Sequence, residues 1–175
     1  MRARKTAHRR LRILVSNDDG IAAPGISALV LELKKIGDVT VVAPDKQRSA
    51  VGHAITVNYP LRAAKYFKND EFFGYAIEGT PADCVKLAIR SLLDEKPDIL
   101  VSGINHGSNT AINIIYSGTV SAATEGTVLG IPSIAVSLAT WENPDFTFAA
   151  KISRKLTEFV ATKGLPEASL LNVNV

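Results

Sequence analysis

Cysteine is almost missing from this chain: Cys84 is the only one in 175 residues. With one thiol, no intrachain disulfide can form and no cysteine-based zinc site can be assembled, so a reducing cytoplasm is the simplest compartment. Cys84 itself reads as a small buried hydrophobe. Long apolar runs are missing too, and none approaches the roughly 20 residues of a membrane span. Neither a G-x-G-x-x-G nor a G-x-x-x-x-G-K-[ST] segment occurs, which removes the phosphate cradles of dinucleotide folds and P-loop NTPases. The stretch "GINHGSN" (103–109) is glycine-rich but wrongly spaced.

Acidic residues are absent from the first ten positions, where Arg2, Arg4, Lys5, Arg9 and Arg10 stand without a counter-charge. They leave 15 Lys and Arg against 17 Asp and Glu in the remainder. A pI near 9.0 therefore describes a near-neutral domain with a basic tail, and a specific nucleic-acid partner is not expected. The tail has no apolar core of the secretory type, and residues 1–10 are expected to be disordered or an extended start. Residues 11–175, in a chain 46% hydrophobic and 21% charged, suffice for one domain that buries about 70% of its unfolded surface.

Apolar runs and helical periodicities alternate along that domain. Leu11 to Ser16 reads as a strand, and Ile26, Leu29, Val30, Leu33 and Ile36 recur at helical spacing until Gly37. "VTVVAP" is the next strand, followed by a loop-rich stretch to about Asp70, the strand "FFGYAIEG" and a helix over "TPADCVKLAIRSLLDEK". Thr80 suits its N-cap, Pro81 its first position and Asp83 a capping box. Then come the strand "PDILVSG", apolar enough to be covered on both faces, a helix from about Gly118 to Leu129 and the strand "IPSIAVS". A helix with a face of Phe148, Ile152, Leu156, Phe159 and Val160 precedes a last strand, "LLNVNV". This order predicts a doubly wound, mostly parallel α/β sheet with helices on both faces, Rossmann-like in its three layers.

In such a sheet ligands sit beyond the carboxyl ends of the strands. The first strand delivers Asn17, Asp18 and Asp19, the second is followed by Ser49 and His53, and "SGINHGSN" supplies Asn105. Adjacent carboxylates about 4 Å apart repel by about 4 kcal/mol at an effective dielectric near 20. Sharing one pocket therefore requires a positive partner, unless Asp18 and Asp19 merely cap the next turn and helix. Two carboxylates with neutral oxygens suit a hard cation such as Mg²⁺ or Mn²⁺. In "YSGTVSAATEG", Ser117, Gly118 and Thr119 stand at a helix start, where free N–H groups attract an anion or are simply capped. His53 and His106 fit acid, base or phosphate contacts and equally a supporting or surface role.

The chain resembles the SurE (survival protein E) family of metal-dependent 5′-nucleotidases, in "RILVSNDDG", "VVAPDKQRSAVGHAIT", "GTPADCV", "DILVSGINHGSNTAINIIYSGTVSAATEG" and "GIPSIAVS", from about Arg12 to Ser137. The resemblance implies a nucleoside-monophosphate phosphatase in which Asp18 and Asp19 are catalytic and hold one divalent metal with Ser49 and Asn105. It also implies that Asn17, Ser117, Gly118 and Thr119 lie near the substrate phosphate. Family members usually continue past "LLNVNV" into a segment that builds oligomer contacts, so a homo-oligomer is expected, a dimer here and a tetramer at full length.

Three rivals are weaker. A receiver domain needs an aspartate at the end of its third strand and a lysine at the end of its fifth, where this chain offers Glu78, Asn105 and Ser137. A haloacid-dehalogenase-type phosphatase needs aspartates two positions apart. An RNA-binding protein would rely on the basic tail, since the core has no obvious basic and aromatic platform.

Overall fold

The computed structural model describes residues 9–175. The strands are β1 Leu11–Ser16, β2 Gly37–Pro44, β3 Ala63–Lys68, β4 Glu71–Ile77, β5 Ile99–His106, β6 Ser133–Leu138 and β7 Leu171–Asn174. They form one sheet in the order β3-β4-β2-β1-β5-β6-β7, parallel throughout except between β3 and β4. Helices α1 Pro24–Leu33 and α4 Thr147–Lys163 cover one face, and α2 Pro81–Leu87 and α3 Gly118–Val128 the other. The fold is the doubly wound α/β class that the alternating pattern predicts.

The burial of both faces explains the near-continuous apolar strands. In β1 successive side chains alternate: Ile13 and Val15 pack with Ile26, Leu29 and Leu33 of α1, while Leu14 packs with Val42, Leu100, Ala122 and Ile131 on the far side. Each such side chain, fully buried, contributes about 1.5–3 kcal/mol. Cys84 lies in that second cluster, and burial pushes its thiol well up, as befits an inert hydrophobe.

Several elements differ from expectation. The stretch read as loop up to Asp70 contains β3, an edge strand whose residues are nearly all exposed, so no alternation marks it. It pairs antiparallel with β4 through a turn in which Asn69 and Asp70 both have positive φ, 52° and 63°; Asn-Asp between aromatic runs is a hairpin signal that the sequence does carry. The helix opening at Thr80 is α-helical only to Leu87 and continues as a π turn over Ala88–Leu92. On α4, Phe148 and Phe159 are exposed, and the buried stripe is Ala149, Ala150, Ser153, Thr157 and Val160. The expected face is rotated because small residues let α4 approach closely, and the Ser153 and Thr157 hydroxyls are satisfied by donating to the Ala149 and Ser153 carbonyls.

At the start of the chain, Arg9 pairs with Asp98, and Arg10 with Asp38 and the Lys34 and Gly37 carbonyls. These two arginines thus dock on the domain, while residues 1–8 of the expected tail lie outside the described residues. Strand order runs outward from β1 to β2 on one side and to β5 on the other. The carboxyl ends of β1 and β5 flank this reversal, which is where a doubly wound sheet opens a crevice.

Candidate functional site

Past Ser16 the chain leaves the sheet in a tight turn held by Asn17. Its amide nitrogen donates to the Gly20 carbonyl at 2.9 Å, and its carbonyl oxygen accepts the Gly20 N–H at 3.2 Å. Ending the strand here lets both following aspartates face one cleft, which a continued strand would forbid. The Asp18 carbonyl accepts from the Arg48 N–H at 2.7 Å, so the loop after β2 is tied alongside.

The cleft measures about 260 Å³ and brings together Asp18, Asp19, Ser49, Asn105, His106 and Ser117. Gln47 donates to the Ser49 hydroxyl at 2.8 Å. The β5–β6 register shifts between Ser102 and Asn105, the kind of irregularity that re-aims side chains beside a site. Asn105 donates its amide to the Gly107 carbonyl at 2.6 Å, which commits its nitrogen and leaves its carbonyl oxygen for another partner. Asp19 accepts from the His106 main-chain N–H at 3.2 Å.

Asp18 is buried, and its carboxylate receives the Thr119 hydroxyl. A Cβ added at Gly118 would stand 2.6 Å from the Asp18 Cβ and 2.9 Å from Oδ2. Only glycine permits this approach, so the anion seated at the start of α3 is Asp18 itself. Burial lifts its pKa to about 6; the Asp19 charge adds to the lift, and the Thr119 hydroxyl and main-chain N–H groups oppose it. Burial also raises Asp19, against the His106 N–H that favours its charged form.

These residues fit a hard divalent cation by the chemistry of the donor set. Two carboxylates whose charged forms are disfavoured without a counter-charge face the same cleft as a serine hydroxyl and an asparagine carbonyl, all oxygen donors. Among the described residues, no group of three or more His, Cys, Asp or Glu side chains could hold a metal, so a cation at the two carboxylates would draw on the neutral oxygens of Ser49 and Asn105 as well.

Other expected site residues lie elsewhere. Asn17 is fully buried with both side-chain ends spent on Gly20, so the structure assigns it to the turn. Gly118 and Thr119 back Asp18 and do not line the cleft; of the three α3 residues, only Ser117 does, while its hydroxyl caps the helix by accepting the Val120 N–H at 3.1 Å. His53 is bonded to Glu125 at 2.9 Å, outside the cleft lining.

Sequence reasoning missed Gln47, Asn109 and Trp141, which also line the cleft. Trp141 follows β6, and the strand-end rule extended past Ser137 would reach it. Asn109 follows β5 in the same way, at the end of "SGINHGSN". Its N–H donates to the Asn174 side chain at 2.8 Å, its amide to the Ser137 hydroxyl at 2.9 Å, and its carbonyl accepts from Asn172 and Asn174 at 2.9 and 3.2 Å. The cleft wall is thus fastened to β7.

Comparison with known proteins gives a consistent result. The sequence model of the family described as Survival protein SurE matches residues 13–175. A protein of Chlorobium phaeobacteroides named 5′-nucleotidase SurE is 57% identical over 93% of this chain and 63% of its own length. One of the same name from Chlorobium chlorochromatii is 59% identical over 93% and 60%. The crystal structure of the SurE protein from Aquifex aeolicus superposes with a TM-score of 0.87 at 47% identity, covering 94% of this chain and 65% of that one. The chain therefore spans somewhat under two thirds of the length of these relatives. With a matching family model over nearly all of its sequence, relatives more than half identical to it and a solved family structure that superposes on it, the chain belongs to the SurE family.

Proposed function

We propose that this chain is a phosphatase that uses one divalent cation, Mg²⁺ or Mn²⁺, to hydrolyse nucleoside 5′-monophosphates to nucleoside and phosphate. The observation that carries the reading is the convergence of Asp18, Asp19, Ser49 and Asn105 on one cleft beside Ser117. The family name and the relatives named 5′-nucleotidases point the same way.

The cation, when bound, would supply positive charge to a phosphoryl oxygen and acidify bound water. Asp18 and Asp19 would hold it, Asp18 positioned by the Thr119 hydroxyl and Asp19 by the His106 N–H. Ser49, steadied by Gln47, and the Asn105 carbonyl complete the oxygen set. Ser117 at the start of α3 lies nearest to where the substrate phosphate would meet the helix, with Gly118 and Thr119 acting behind it through Asp18. Preorganised groups of this kind avoid the reorganisation that water would need as charge shifts in the transition state.

The single buried cysteine supports a reducing, cytoplasmic setting. No helix among the described residues is long and apolar enough to cross a membrane. Assembly into a homo-oligomer is part of the same reading and rests on the family.

The test is a panel of nucleoside monophosphates assayed with Mg²⁺, with Mn²⁺ and with chelator, on the native chain, Asp18→Asn and Asp19→Asn. Turnover should require the metal and fall about a hundredfold or more in each variant. Near-normal turnover in chelator, or in either variant, overturns the reading.

A further inference from the structure

We propose that Trp141 is the platform on which the base of a bound nucleoside monophosphate stacks, an inference that rests on the nucleotidase reading above. Trp141 lies between β6 and α4 and is 74% exposed. It lines the cleft that holds both carboxylates. Such a large apolar face left in water beside a charged pocket gains by being covered with a flat, apolar ring.

The indole is seated, not free. Its six-membered edge lies on Gly107, where an added Cβ would come within 2.3 Å of Cη2. Its ring centroid is 5.7 Å from that of His106, tilted by 40°, and His106 in turn meets Phe146 edge-on at 6.3 Å. The His106 main-chain N–H donates to Asp19. One short segment therefore carries both the carboxylate contact and the floor under the tryptophan, which fixes the aromatic face relative to the phosphate end of the cleft. Tyr116, 56% exposed, stands in the same lining next to Ser117.

A ligand with its phosphate at Ser117 and the carboxylates would carry its sugar outward and its base to this rim. Every base has a π-face, so stacking accepts all of them and favours purines by overlap. The cleft would thus distinguish nucleotides as a class from sugar phosphates.

Trp141 is the only tryptophan in the chain, so its emission reports on the site directly. Titrated with Mg²⁺ present, a non-hydrolysable phosphonate analogue of adenosine monophosphate should quench it, and the corresponding analogue of ribose 5-phosphate should not. In kinetics with metal, the ratio of kcat/KM for adenosine monophosphate to that for ribose 5-phosphate should fall roughly tenfold or more in Trp141→Ala. The fall should appear mainly in KM, and Trp141→Phe should restore most of the ratio. Equal quenching by both ligands, or by neither, overturns the proposal, as does a Trp141→Ala loss that is the same for both substrates. If no phosphomonoester is turned over at all, the nucleotidase reading fails, while the fluorescence titration still decides whether a base stacks here.

Discussion

Burial lifts the Asp18 carboxyl to about 6 from an ordinary value near 3.8, with the charge of Asp19 as a smaller contributor. In the metal-free protein, between about pH 4 and pH 6, the folded chain keeps a proton that the unfolded chain has released. Stability attached to Asp18 is therefore full at the acid end and lost as pH rises through 6, by on the order of 3 kcal/mol. Asp19, raised in the same direction by burial, adds to the trend. Denaturant unfolding in chelator from pH 4 to 8, native against Asp18→Asn, isolates the effect. The variant should lack this loss and exceed the native chain in stability at pH 8, whereas parallel curves would show that Asp18 carries no such strain. Added Mg²⁺ or Mn²⁺ should reverse the order, because the cation replaces the proton as the carboxylates' partner.

Helices α2 and α3 open alike in sequence and serve different ends. Thr80 accepts the Asp83 N–H, Asp83 accepts the Thr80 N–H, and the Thr80 hydroxyl also donates to the Ala54 carbonyl. Thr80→Ala should cost about 1 kcal/mol of stability with metal affinity kept. Gly118→Ala, in a helix where alanine is normally preferred, should instead destabilise by about 1–3 kcal/mol because its methyl must displace Asp18, and metal affinity should fall with it. Melting and metal titration of the two variants check the contrast; Gly118→Ala with native metal affinity would sink it. At this scale the sequence is uneven. Strand β1 and helix α3 are legible because fully buried runs and a cap leave local marks; strand ends do bring Asp18, Asp19, Ser49 and Asn105 to one cleft, but the same rule names Asn17 and His53, which are spent on Gly20 and Glu125. The edge strand β3 is not legible, since exposure erases its alternation. Nor is the part Thr119 plays, because its partner is 101 residues away and a cap and a carboxylate clamp look the same from nearby residues.

The whole molecule should feel the site as a ligand-binding equilibrium. A divalent cation at about a hundred times its Kd stabilises the folded state by about 2.7 kcal/mol, or roughly 5–10 °C in melting temperature for a domain of this size. Calorimetry with Mg²⁺, Mn²⁺ and chelator measures it. The rise should vanish in Asp19→Asn, and no rise with either metal at millimolar concentration would mean that the four oxygens do not form a cation site. The seven-stranded arrangement also sets what holds that site together. Asn109 is held by Asn172 and Asn174 across sequence separations of 63 and 65 residues. Strand β7 is thus a distant buttress: without it the two acids would still share their cleft, but the Asn109 wall would lose the three hydrogen bonds that tie it to the sheet edge.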